Sequence, residues 1–318
     1  MNLMQVWALI VDSFRDAIDR KIFWIMVVIS TLIAASMACI TFTDTGFEMM
    51  FGMWTVESLG WAAGSDSGRG FVGALVTQVI AGQYLCWVGI ILALVATAST
   101  YPSLMESGVV EVLMSKPMSR YKVFLGKYLG ALVFVFLQAV IFVVLTFLVI
   151  GTRWHYWLFG YLWLIPLVVL LFSYVFSLSA LFGVLTRSTV TTLMLTMLVW
   201  IGFFWVPQTA YGLFTSKADQ LDPTGRWQRL FGAVVWVVPK TQDIPVIAGK
   251  LVNAGLVSDV LLDAEIVSDE DRKDLERTRR VERDETEKLD AFQSIGSSLL
   301  SEALIVMLAM WQFKRRDF

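Results

Sequence analysis

Between Tyr128 and Ile150 the chain reads YLGALVFVFLQAVIFVVLTFLVI, twenty-three residues without one charged side chain. A helix crosses the hydrocarbon core of a bilayer with about 20 apolar residues, so this stretch is a complete membrane span. Working outward, five further stretches have the length and character of spans. Ile22–Phe42 and Gln78–Thr100 precede it; Trp157–Leu185, Val190–Tyr211 and Ala291–Phe313 follow. The fourth of the six is longer than a span needs and contains Pro166; neighbouring spans could tilt or bend it, so its ends are not fixed by the sequence. The sixth is the most polar. Ser297, Ser298, Ser301 and Glu302 precede its cleaner run, Ala303–Trp311.

Composition agrees with a membrane protein. Of the 318 residues 57% are hydrophobic and 16% charged, against roughly 25% charged in soluble proteins, and the mean hydropathy is +0.68. The fold class is all-α integral membrane, with six transmembrane helices. A net charge of −2, with no basic patch on a folded face, argues against a nucleic-acid partner. Cys39 and Cys86 fall in apolar runs and read as small buried hydrophobes. His155 is the single histidine; without a His/Cys/carboxylate cluster there is no metal or haem site to assign. An intramembrane enzyme needs a Ser/His, paired-Asp or His-rich constellation in its spans. None is legible, and no catalytic residue is assigned.

Orientation follows from lysine and arginine in the short loops. With the N-terminus inside, the inner segments hold eleven basic residues: Arg15, Arg20, Lys21, Lys116, Arg120, Lys122, Lys127, Arg187, Lys314, Arg315 and Arg316. The two short outer loops hold Arg69 and Arg153 only. Both termini are therefore expected in the cytoplasm. The chain divides into residues 1–21, an amphipathic helix on the cytoplasmic surface; 22–206, spans one to five with their loops; 207–290, an extracytoplasmic segment with a charged helix; and 291–318, span six with a basic cytoplasmic tail. In the leader, Leu3, Val6, Trp7, Ile10, Phe14 and Ile18 recur at helical spacing, which suits a membrane surface. The loop from Thr43 to Thr77, rich in Gly, Trp, Phe and Met, is expected to fold against the outer surface. Residues 268–290 carry ten acidic and seven basic side chains and read as a solvated helix, or else a docking helix.

The informative inner segment joins spans two and three, from Tyr101 to Lys127. Glu106 and Glu111 come early, Lys116, Arg120 and Lys127 late, as suits a helix dipole. Val109, Val112 and Leu113 make a short apolar face. Pro117 ends that helix, because the residue before a proline avoids the helical region, and Ser119 can cap the next. A short helix lying across the surface between two membrane helices can transmit a push from a soluble partner.

The pattern Glu106-x-Gly108-x-x-Glu111, then Pro117-x-Ser119-Arg120 and Gly126-Lys127 at the head of the next span, resembles the ABC-2 type permeases of ABC transporters, including the NosY-like group. Val238-Pro239-Lys240-Thr241-Gln242-Asp243 is similar to that family's Pro-Lys-Thr stretch, and Arg315-Arg316-Asp317-Phe318 to its terminal sequence. The likeness weakens over residues 259–294. The resemblance implies a cytoplasmic coupling helix between spans two and three, with Glu106, Gly108, Glu111, Pro117, Arg120, Gly126 and Lys127 as its coupling residues. It implies a separate ABC ATPase subunit as partner, which carries ATP and magnesium; this chain has no phosphate-cradling glycine loop and needs no cofactor of its own. It further implies a second permease copy or paralogue, surrounding membrane lipid, and a bacterial plasma-membrane location. The expected function is export of an unidentified substrate. The alternative is a non-transporting membrane anchor or mechanotransmitting subunit driven by the same kind of ATPase. Glu302 is a possible intramembrane polar site, unless span six begins late enough to leave it in the outer interface.

Overall fold

The computed structural model describes residues 21–43, 46–50, 52–57, 72–73, 75–105, 120–216, 225–253 and 291–315. The amphipathic leader, Glu106, Gly108, Glu111, Pro117, the charged stretch 268–290 and the terminal Arg316-Asp317-Phe318 lie outside these residues.

Among the described residues six helices are long and apolar enough to cross a membrane: Lys21–Ala38, Leu75–Ser103, Arg120–Arg153, Phe159–Thr186, Thr189–Phe214 and Phe292–Arg315. We call them spans one to six. Each alternates in direction, so Lys21, Arg120, Lys122, Lys127, Arg187, Lys314 and Arg315 gather at one end of the bundle, here called the basic end. Span four is the hub, packed on spans two, three, five and six. It is 72% buried over its apolar core, whereas spans five and six are 22% and 17% buried. The outward faces remain apolar, with Trp24, Val190, Met194, Leu300 and Leu304 all exposed. Such a surface belongs in lipid, where only helices with satisfied backbones survive.

Local sequence explains the joints. Span four opens with a 3-10 turn, Phe159–Trp163, and becomes α-helical at Leu164. Pro166 thus sits in the first α-helical turn, where its missing N–H removes no helical bond, and the 3-10 turn fixes the end that the sequence left open. Span four ends on Arg187 in the left-handed region, φ 56°, and Ser188 caps span five by accepting from the Thr191 amide. Two residues therefore turn the chain through the basic end. Spans two and five each contain a π-helical stretch, Leu75–Gly89 and Trp200–Trp205, and the two meet where Trp87 packs on Trp200 and Trp205.

The end opposite the basic one carries two features. After span one the chain forms an antiparallel meander of β1 (Ile40–Thr43), β2 (Gly46–Met49) and β3 (Trp54–Glu57). The β2–β3 turn uses Met50 and Gly52 at positive φ. The meander is fixed to span three by Trp154, whose Nε1 donates to the Ile40 carbonyl at 3.1 Å and whose ring meets Phe42 edge-on. Among the described residues between spans five and six are two short helices, Arg226–Val237 and Asp243–Asn253. The second buries Ile244, Ile247, Ala248 and Val252 against span two and the start of span four. The approach is close enough that a Cβ on Gly160 would stand 2.0 Å from the Leu251 carbonyl oxygen, so only glycine fits there.

Candidate functional site

Two groups of polar residues lie in the bundle, one at its basic end and one in its interior. At the basic end, span two finishes at Tyr101–Met105 and span three begins at Arg120, so both flanks of the 106–119 segment emerge from the same packed knot. Tyr101 is fully buried; its ring lies 4.7 Å from that of Phe124 and its hydroxyl donates to the Phe124 carbonyl at 3.3 Å. Phe124 in turn packs on Phe313 of span six at 5.8 Å. Arg120 Nη1 donates to the Lys314 carbonyl at 3.2 Å, satisfying one of the carbonyls that a helix end leaves without an intrahelical partner. The Lys314 ammonium lies over the Tyr121 ring. Span four joins the knot through Gly183, where a Cβ would meet the Tyr101 Cβ at 2.8 Å.

Of the seven coupling residues that the resemblance implies, Arg120, Gly126 and Lys127 fall within the described helix. Arg120 is tied to span six as above. Gly126 is buried in the first two turns of span three. Lys127 is half-buried and directly precedes Tyr128, which leads into the second group.

That group centres on Glu302. Counting 1.5 Å per residue, Glu302 stands about 18 Å along span six from Lys314. It is 9% exposed. The Tyr128 hydroxyl of span three lies 2.7 Å from Glu302 Oε1, with the Ser173 carbonyl a second acceptor at 3.0 Å. The Ser173 hydroxyl of span four lies 3.1 Å from Glu302 Oε2, with the Leu170 carbonyl at 2.8 Å. One carboxyl group thus joins three helices. Four residues before it, Ser298 is buried and its Oγ accepts from the Lys240 amide at 2.9 Å. Four residues before that, the Ser294 hydroxyl donates to Asp243 Oδ2. Tyr174 faces Ser298 without a well-formed hydrogen bond. The 294, 298, 302 stripe is one face of a helix at i, i+4, i+8 spacing.

Asp243 heads the second short helix, outside the spans. Burial pushes its carboxyl above the usual carboxylate range, and the Ser294 hydroxyl and the Lys240 charge pull it partly back. The neighbouring Pro239–Gln242 stretch is pinned to span five. Gln208 Nε2 donates to the Pro239 carbonyl, the Gln242 amide donates to Gln208 Oε1, and Gln242 Nε2 donates to the Trp205 carbonyl and Thr209. This clasp joins spans five and six. Among the described residues no three His, Cys, Asp or Glu side chains converge as a metal site would require. Cys39 and Cys86 are free thiols.

A six-span helical bundle with a packed aromatic knot at its basic end and a buried acid tied across three helices has the make-up of a polytopic membrane protein. The sequence profile of the ABC-2 family transporter proteins matches residues 7–318, and the chain belongs to that family. It is accordingly the membrane-embedded permease type of ABC transporter subunit, a transport component and not itself the catalyst, and membership implies an ABC ATPase subunit as its partner. No curated protein matches the chain.

Proposed function

We propose that this chain is the permease subunit of an exporter in the bacterial plasma membrane. Its basic end lies in the cytoplasm, and it is driven by a separate ATPase that presses on the segment between spans two and three. The positive-inside distribution supports the orientation. The observation that carries the coupling is the knot at the basic end. The segment's two flanks, Tyr101–Met105 and Arg120–Phe124, are packed on each other, on span four at Gly183 and on span six at Phe313 and Lys314. A displacement delivered to that segment reaches four spans at once.

In this reading Glu106, Gly108, Glu111 and Pro117 form the coupling helix that meets the ATPase, while Arg120, Gly126 and Lys127 root it in span three. Glu302 acts as a positioning residue. Through Tyr128, one residue beyond Lys127, and through Ser173, it makes the head of span three carry spans four and six along. A second permease copy or paralogue completes the pathway, and lipid covers the apolar outer faces.

The test is co-purification in mild detergent of wild type beside the double variant Glu106→Arg/Glu111→Arg, with the companion chains identified by mass. An ATPase that accompanies wild type and is lost from the variant is the expected result. An ATPase bound equally by both removes the contact assignment. No ATPase with wild type, although one is co-expressed, removes the coupling itself.

A further inference from the structure

Beyond the coupling knot, the end of the bundle opposite the basic one holds a cavity of about 100 Å³. Its walls come from span two (Cys86, Trp87), span four (Leu171), span five (Trp200, Trp205) and the clasp (Thr241, Gln242, Pro245). We propose that this cavity binds the uncharged oxygen-bearing end of an amphiphile, with the apolar body of the ligand against the indole rings.

The first ground is polar. Trp200 and Thr241 are 3% and 5% exposed, and neither Trp200 Nε1 nor Thr241 Oγ1 has a hydrogen-bond partner in the protein. Four side-chain atoms among the described residues share that condition, and two of them belong to this one cavity. Native proteins rarely leave such groups unpaired without a reason. A loose loop is not the reason here. Gln242, next to Thr241, makes three hydrogen bonds to span five, and Gln208 holds Pro239. Thr241 is therefore held in place with its hydroxyl unused.

The chemistry of the pair selects the ligand. An indole N–H only donates, so the ligand must present an acceptor; a threonine hydroxyl can donate or accept. No acidic or basic side chain lines the cavity, which disfavours a charged group in so apolar a place. A hydroxyl, ether, ester or amide oxygen fits both demands. The second ground is aromatic. Trp87 lies 5.3 Å from Trp200 and 5.4 Å from Trp205, the latter edge-on, giving three indoles to receive an apolar or aromatic body. Both π-helical stretches contribute here, and such wide turns often mark functional sites. As to size, a closed apolar cavity of about 150 Å³ accepts benzene. One of 100 Å³ that is open on one side takes a polar group with a single ring at its mouth.

The site stands on this cavity alone and survives if the chain binds no ATPase. The probe is 4-bromobenzyl alcohol, compared with 4-bromotoluene, the same ring without the oxygen. Each is titrated into the full chain in detergent micelles and read by bromine quenching of tryptophan fluorescence. Expected is saturable quenching by the alcohol in wild type and weaker quenching by bromotoluene. Thr241→Val and Trp200→Phe should each weaken the alcohol about tenfold, the worth of one hydrogen bond, and leave bromotoluene unchanged. Leu171→Phe, which fills the cavity, should abolish the saturable component. If Trp200→Phe does not fold, Thr241→Val, nearly equal in shape, carries the comparison. Linear quenching by both compounds in wild type and variants alike would mean that the cavity holds only solvent and would overturn the proposal. Saturable binding that persists in Leu171→Phe would place the ligand elsewhere and overturn it too. Organic extracts of the purified wild type and Leu171→Phe then assign the source. A neutral lipid depleted from the variant is a resident membrane lipid. Equal extracts, with alcohol binding intact in wild type, indicate a ligand that exchanges freely.

Discussion

Replacing Tyr128 by Phe should destabilise the protein more than replacing Glu302 by Leu, although the second change removes the ionisable group. The reason lies in what each change leaves behind. Without Glu302, the Tyr128 hydroxyl still has the Ser173 carbonyl at 3.0 Å and the Ser173 hydroxyl still has the Leu170 carbonyl at 2.8 Å. No donor is orphaned, and leucine is favoured over an acid in hydrocarbon, so Glu302→Leu should be neutral or stabilising. Without the Tyr128 hydroxyl, a 9%-exposed carboxyl keeps Ser173 alone. Hydrogen bonds to charged groups are worth about 1.5–3 kcal/mol, while interhelical bonds measured in a membrane average about 0.6 and reach about 1.7 kcal/mol. The ranges overlap near about 1.5 kcal/mol, which is the expected cost of Tyr128→Phe. The double variant should resemble Glu302→Leu, giving a coupling energy of about the same size. The assay is SDS-induced unfolding in mixed micelles followed by tryptophan fluorescence, for wild type, both single variants and the double. If Glu302→Leu proves the more damaging change, the fall-back argument is wrong and the carboxyl serves a partner other than these two hydroxyls.

Gly160→Ala should lower the thermal midpoint, because a Cβ 2.0 Å from the Leu251 carbonyl forces the second short helix off span four at an overpacking cost of about 1–3 kcal/mol; an unchanged midpoint would show that the helix is not seated there. Trp154→Phe keeps the edge contact with Phe42 and loses the bond to the Ile40 carbonyl, so it should cost about 1 kcal/mol and speed amide exchange in the β1–β2 ladder without affecting span four. For Asp243 the folded carboxyl sits above its ordinary value, so the folded state binds the proton more tightly. The associated stabilisation is present below the ordinary carboxylate range and is lost as pH rises through the raised value. Asp243→Asn keeps an acceptor for Ser294, and wild type minus variant stability should fall across that window; a difference that rises with pH would contradict the burial argument.

The spans were legible because charge-free runs of twenty residues have one solution in a bilayer, and the basic residues told which ends share a side. Where the reading missed, the physics is specific. Ile40-Thr41-Phe42 is apolar enough to prolong span one, yet it is a strand, since hydropathy alone does not separate a β-branched strand from the tail of a helix. The ends of span four were open because the effect of Pro166 depends on its distance from the helix start, and that start is set by the 3-10 turn before it. Glu302 was visible as an acid in an apolar run. Its depth, and its partners Tyr128 and Ser173, 174 and 129 residues away in sequence, depend on how spans three, four and six pack. The Val238–Asp243 stretch was visible only as a family likeness. Its role as a clasp needs Gln208 and Ser298, which nothing in its own sequence names.

On the proposed coupling, span six links these separate contacts. Its helix is tied at three levels: at Lys314 to Arg120, at Glu302 to Tyr128 and Ser173, and at Ser298 and Ser294 to Lys240 and Asp243. From Ser294 to Lys314 is about 30 Å of helix, the thickness of the hydrocarbon core. A helix held at both ends and in the middle, with no glycine or proline from Ser297 to Lys314, has its one kink site at the Gly296-Ser297 pair, beyond the Ser298 tie. Movement at the basic end must then appear at the clasp, or else break one of three identifiable sets of hydrogen bonds. Because the clasp also carries Thr241 into the indole-lined cavity, the helix that on the proposed coupling takes up a push at the basic end would reshape the proposed ligand site at the other. Tyr128→Phe, which leaves the middle level tied through Ser173 alone, should therefore weaken the communication between the two ends more than it weakens either end alone.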